Sequence, residues 1–214
     1  MVIGLYCLGY FLGSLPFGYW VSKAFGIDIL KVGSGNTGAT NVYRQLGPKG
    51  GVMVFLLDVA KGFVPVFLAK ALLVPSEASM HAILIGVAAV VGHSFSPFLK
   101  FKGGKGVATG LGVVLGIAPI VGLTGFASFL ACLAVSRYVS LSSIVGTLMV
   151  VVTAILTKQS PLVLAVLSLV CAFVIIRHVP NIKRLINGTE PKVKRKDGTD
   201  SRNHDNRQGG GSDK

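Results

Sequence analysis

The sequence predicts an all-α protein, a polytopic transmembrane bundle of about seven helices with its N-terminus outside and its C-terminus in the cytoplasm. Two observations carry this. Of 214 residues, 51% are hydrophobic and only 14% charged, where soluble domains carry roughly 25% charged residues. The apolar residues also fall into runs of the length a bilayer core of ~30 Å demands, about 20 residues at ~1.5 Å each. These runs lie at 3–24, 52–73, 80–99, 107–136, 141–157 and 161–178.

The run at 3–24 has no basic segment before it and no small-residue cleavage site after it, so it reads as a permanent anchor rather than a signal peptide. The run at 107–136 is long for one crossing and short for two. Lys100, Lys102 and Lys105 precede it and Arg137 follows it. Basic loops stay cytoplasmic, so the chain must cross and return, which predicts two shortened helices, 107–121 and 123–136. That hairpin makes the number of crossings odd and places the termini on opposite faces. Residues 1–190 read as a single transmembrane domain. Residues 191–214 are polar, Gly-rich and mixed in charge, and read as a flexible charged cytoplasmic tail.

Several function classes drop out at this point. The net charge of +13 sits in short loops beside apolar runs and in the tail, an arrangement that orients membrane helices rather than binding nucleic acid. Cys7, Cys132 and Cys171 lie inside apolar runs without a CxxC or CxxxH partner, so no metal and no cofactor is expected. The body holds only three acids, Asp28, Asp58 and Glu77, which leaves little for carboxylate chemistry. Asp58 and Lys61, at i and i+3 in an apolar run, share a helix face and read as a structural ion pair.

The chemistry concentrates in three segments on the predicted cytoplasmic side. Gly33-Ser-Gly-Asn-Thr-Gly-Ala-Thr-Asn41, flanked by Lys31 and Arg44, is anion-binding material: glycines let backbone N–H groups converge, and Ser34, Asn36, Thr40 and Asn41 add donors before a helix N-terminus. Residues 33–38 match GxGxxG, but a membrane span precedes them where a dinucleotide fold needs a strand. Phe101-Lys-Gly-Gly-Lys-Gly106 is no Walker loop, since Leu99 stands at the leading glycine and Gly106 at the Ser/Thr. It offers Lys105 on the Gly103–Gly104 backbone as a phosphate clamp. Arg177-His178-Val-Pro-Asn181 adds a histidine able to act as acid, base or anion donor. Ser140, Ser142 and Ser143 bring hydroxyls to the same side.

Quoted as GSGNTGATNVYR (33–44), GHSFSPFLKFKGGKGVAT (92–109) and RHVPNIKRLINGTE (177–190), these segments resemble the bacterial acyl-phosphate:glycerol-3-phosphate acyltransferase family. LLDVAKG (56–62) and RYVSLSS (137–143) extend the resemblance almost end to end. It implies a multi-pass catalytic domain in the bacterial inner membrane with its active site facing the cytoplasm. The implied reaction moves a fatty acyl chain from acyl phosphate to the sn-1 hydroxyl of glycerol 3-phosphate. Lysophosphatidic acid and phosphate are the implied products, and membrane lipid the surroundings. Under that resemblance Ser34, Gly35, Asn36, Thr40 and Asn41 cradle the acyl phosphate. Arg44 and Lys105, with Gly103 and Gly104, clamp the glycerol phosphate, and Ser142, His178 and Asn181 position it. The acyl tail lies in an apolar groove between helices. An acyl-CoA-dependent HxxxxD enzyme is a poor fit, because Gly86, Phe98, Lys183 and Gly209 stand five residues after the four histidines.

Overall fold

The computed structural model describes residues 1–193, and every regular element in them is helical. The apolar runs appear as α1 (Val2–Ser14), α2 (Phe17–Ala24), α3 (Ala39–Leu72), α4 (Pro75–Ser94), α5 (Val107–Ile117), α6 (Pro119–Ser136), α7 (Val139–Leu156) and α8 (Pro161–Arg177). A short α9 (Val179–Ile186) turns 55° away from α8. Five of these stretches are long and apolar enough to cross a membrane, with the α8–α9 pair a bent sixth.

Sequence periodicity placed the spans and missed their interruptions. The expected single run at 3–24 breaks at Leu15-Pro16, because proline cannot donate into a continuing helix. The freed carbonyls are satisfied from elsewhere in the bundle: Ser96 Oγ, in the turn after α4, donates to Ser14 O (2.6 Å) and Lys61 Nζ of α3 to Leu15 O (2.9 Å). Lys61 also meets Asp58 at 2.8 Å with both side chains buried, so the ion pair expected from i, i+3 spacing forms and seals the break. The helix expected to begin at 52 begins at Ala39 and kinks at Gly47, whose φ is +76° just before Pro48. The hairpin expected at 107–136 forms, but it turns at Ala118–Pro119 rather than near 122. Two segments read as loop or tail have structure of their own: α9, and residues 191–193, where Val193 N donates to Arg137 O at 2.9 Å. Residues 194–214 of the expected tail lie outside the described residues.

Close helix contacts rest on missing side chains. A Cβ on Gly13 would lie 2.1 Å from Ala89 O, one on Gly62 2.1 Å from Thr109 O, and one on Gly112 2.0 Å from Val59 O. Where lipid supplies no hydrophobic drive between helices, backbone approach of this kind provides the packing. It holds α1 against α4, and α3 against α5. At about 1.5 Å per residue the 11 residues of α5 reach only about half of a ~30 Å core. Lys70 Nζ completes its C-terminus by donating to Gly116 O (2.8 Å) and Ile117 O (3.2 Å).

Candidate active site

The alternation of helix directions brings the N-termini of α3, α5, α7 and α9 to one end of the bundle, around a cleft of about 800 Å³. None of these four ends has a side-chain cap among the described residues, so first-turn amides of α3, α5 and α7 stay free to donate, whereas at α9 Pro180 has no N–H and Asn181 N donates to His178 O at 2.8 Å. Each end carries about half a positive charge from the helix dipole. Converging uncapped N-termini are an anion site before any side chain is counted.

Side chains add Arg44 from α3, Lys105 from the glycine loop and Arg184 from α9 to the walls. Ser34, Asn36, Thr40, Asn41, His178 and Asn181 line the same cleft, so the three sequence segments do meet. Lys105 Nζ donates to Asn181 Oδ1. Burial, then nearby Arg184, Arg44 and Arg177, outweigh the pull of Glu190 and lower the Lys105 ammonium to about 8. Burial, with Lys105 adding to it, lowers the His178 imidazole to about 4. The ring is therefore neutral at pH 7, and its Nδ1–H donates to Val174 O at 2.8 Å.

The structure redistributes several expected roles. Asn41 lines the cleft, but its amide is committed to the loop. Nδ2 donates to the carbonyls of Ile29, Val32 and Asn36, and Oδ1 accepts from Ser34 N. Asn36 Oδ1 likewise accepts from Gly38 N at 2.8 Å. Gly35 does not reach the cleft wall. Neither do Gly103 and Gly104, which the sequence assigns to phosphate: their amides donate to Ser94 O and His93 O, both at 3.1 Å. They are glycines because a Cβ would lie 1.9 Å from His93 O or 2.1 Å from His93 Nε2. Arg177 Nη2 holds their carbonyls at 3.1 and 2.9 Å, so the loop is clasped from two sides and presents Lys105.

Ser142 also leaves the expected site. Its hydroxyl donates to Tyr138 O at 2.8 Å and it is fully buried behind the wall. Ser140 and Ser143 line the cleft instead, since i and i+3 share the face that i+2 turns away from. Ser140 is buried, and its hydroxyl faces Glu190 and helps hold that carboxylate ionised.

Sequence reasoning missed Glu190, Arg184 and His93 as cleft residues. Glu190 accepts from Asn181 Nδ2 (2.9 Å) and Arg184 Nε (2.7 Å) and lies 4.0 Å from Arg44. Burial raises the Glu190 carboxyl, yet these hydrogen bonds hold it below its ordinary value. The signal was present: it is the one acid beside the last basic cluster before the tail. Asp58 lines the cleft floor as well as pairing with Lys61, and His93 Nδ1 lies 3.9 Å from it.

A second cavity of about 630 Å³, walled almost wholly by apolar side chains of α5, α6, α7 and α8, opens beside the cleft. The two share Phe55, Gly106, Val107, Phe129 and Ser143. An anion site adjoining an apolar cavity suits a molecule with a charged head and a hydrocarbon tail.

A family model described as glycerol-3-phosphate acyltransferase matches residues 3–188. The chain belongs to the glycerol-3-phosphate acyltransferase family. A member from Geobacillus kaustophilus is 49% identical over 189 residues, covering 87% of this chain and 93% of that one. One from Fusobacterium nucleatum is 43% identical over 189 residues, covering 87% and 95%. The crystal structure of PlsY (YgiH), an integral membrane glycerol 3-phosphate acyltransferase in its glycerol 3-phosphate form, superposes with a TM-score of 0.85. It is 41% identical and covers 90% of this chain and 96% of that chain. The lysophosphatidic acid form of the same acyltransferase gives 0.82 at 40% identity, covering 90% and 95%. This acyltransferase chain is accordingly an integral membrane enzyme with an all-helical fold.

Proposed function

We propose that the cleft transfers a fatty acyl group from acyl phosphate to the sn-1 hydroxyl of glycerol 3-phosphate, releasing lysophosphatidic acid and inorganic phosphate. The observation that carries this is that the anion-binding cleft and the apolar cavity adjoin and share five wall residues, which would set a phosphate and a hydrocarbon chain of one donor side by side. A relative in the family has glycerol 3-phosphate and lysophosphatidic acid forms, one molecule of each kind that such a site would accommodate.

The geometry supports division of labour. Arg44, Lys105 and the uncapped N-termini neutralise phosphate oxygens with charge-assisted hydrogen bonds. Ser34 and Thr40 add donors, and His178 and Asn181 orient the acceptor hydroxyl. An acyl phosphate is already an activated anhydride, so holding hydroxyl and carbonyl in line and stabilising departing phosphate supplies most of the catalysis. The oxygen–carbonyl bond forms as the carbonyl–phosphate bond breaks. The hydroxyl proton passes to a phosphate oxygen, whose second pKa is about 6, rather than to His178 near 4. His178→Gln is then expected to lower turnover through orientation and leave the pH profile unchanged near neutrality; loss of an ionisation there would make the ring the base.

Residues 1–190 form the catalytic unit on this reading. The cleft faces the cytoplasm of a bacterial inner membrane, with the N-terminus outside, because Lys100, Lys102, Arg137, Lys183 and Arg184 lie in the α4–α5 and α6–α7 connections and in α9, next to the helix N-termini that border the cleft. The test is product analysis of the purified protein in lipid. With glycerol 3-phosphate, hexadecanoyl phosphate is expected to give lysophosphatidic acid and phosphate in equal amounts, and hexadecanoyl-CoA none. Product from acyl-CoA alone would overturn the donor.

A further inference from the structure

We infer that Gly110 is a specificity-determining residue: the side chain it lacks leaves the apolar cavity open, and its size sets how long a donor chain the cavity admits. This rests on the reading that the cavity takes the acyl chain.

The argument begins with four glycines that line the cavity, Gly106, Gly110, Gly125 and Gly146. Three have a local reason to be glycine. Gly106 has φ +86°, a conformation that strains other residues. A Cβ on Gly125 would lie 2.5 Å from Val150 Cγ2 and 3.1 Å from Gly146 O. One on Gly146 would lie 2.8 Å from Gly125 O. These two bring α6 and α7 together.

Gly110 has neither reason. It sits inside α5 with ordinary helical backbone, and an added Cβ would meet one atom, Val170 Cγ1, at 4.0 Å. Glycine there weakens the helix by about 1 kcal/mol relative to alanine, and α5 has only 11 residues over which to form. The residue is nonetheless buried. What the missing side chain leaves is the passage itself. Along α5 the cavity is walled by Val107, Gly110, Leu111 and Val114, one helix face at i, i+3, i+4 and i+7. Val107 belongs also to the polar cleft. Gly110 is the first position inward from that junction. Bulk here stands between the phosphate-binding end and the deeper walls at Val114, Val150 and Leu167, so a long chain meets it and a short one does not reach it.

The experiment compares wild type, Gly110→Ala and Gly110→Leu in lipid, with butanoyl phosphate and hexadecanoyl phosphate as donors, together with thermal unfolding midpoints. The ratio of kcat/KM for hexadecanoyl over butanoyl donor is expected to fall by about tenfold or more in Gly110→Leu, the scale of a few misfitted methylenes. Gly110→Ala is expected to fall between the two, with an unfolding midpoint at or above wild type. An unchanged ratio in Gly110→Ala and Gly110→Leu, or equal loss with both donors, would overturn the inference. Wild type using neither acyl phosphate would instead overturn the donor reading on which it rests.

Discussion

The polar cleft and the apolar cavity meet at Phe55, Gly106, Val107, Phe129 and Ser143, yet they are built by opposite means. The cleft is over-determined. Its loop is held by four hydrogen bonds of Asn41, its glycine clasp by His93, Ser94 and Arg177, and its floor by Asp58 with Lys61. The cavity is held open by what is absent, with few polar atoms on its walls. Charge must be placed accurately to stabilise a phosphate. A hydrocarbon chain asks only for volume.

The comparison breaks most visibly at the cleft floor. Asp58→Ala leaves Lys61 charged and buried, which is expected to destabilise the protein by about 3–5 kcal/mol. The additional change Lys61→Met should recover part of that in thermal unfolding. No loss of stability in Asp58→Ala would mean that the pair does not support the Pro16 break. Next come the clamps. Arg44→Ala and Lys105→Ala are each expected to lower kcat/KM for glycerol 3-phosphate by ~1.5–3 kcal/mol, roughly ten- to a hundredfold or more. Wild-type kinetics in both would remove them from the site.

The pH dependence sharpens the same contrast. Lys105 is charged below about 8 and neutral above it, so phosphate binding should weaken as pH rises through that value. kcat/KM reports the free enzyme, and Lys105→Arg should move the alkaline limb upward. An identical limb in that variant would assign it elsewhere. The smallest effect is expected at Ser142. Its hydroxyl bonds Tyr138 O rather than the cleft, so Ser142→Ala should change stability by about 0.5–1.5 kcal/mol with KM unchanged, whereas Ser140→Ala should raise KM.

What the sequence made legible follows the same division. Glycines, amides and cations are rare in a membrane chain, so their clusters at 33–44, 100–106 and 177–184 stood out, and the cleft brings them together. Their separate duties were not legible. Whether an asparagine faces a ligand or braces its own loop depends on contacts such as Asn41 with Ile29, 12 residues away. Gly103 and Gly104 look the same in sequence whether their amides face phosphate or His93 and Ser94. The choice among Ser140, Ser142 and Ser143 needed the rotation of α7. The spans were readable from apolar length, but the break at Pro16 depends on Lys61 of α3 and Ser96 of the turn after α4 arriving from far along the chain. The cavity was the least legible feature, because Val114, Val150 and Leu167 are of the same types as residues facing lipid.

The most direct test asks whether the three loops share one membrane face. Asn36→Cys, Lys102→Cys and Lys183→Cys, each in a background with Cys7, Cys132 and Cys171 replaced by serine, are to be treated with a membrane-impermeant thiol reagent in right-side-out and inverted vesicles. All three should label only in inverted vesicles, with acyl phosphate slowing the reaction at position 36. Labelling of any two from opposite faces would separate the segments that the cleft requires together.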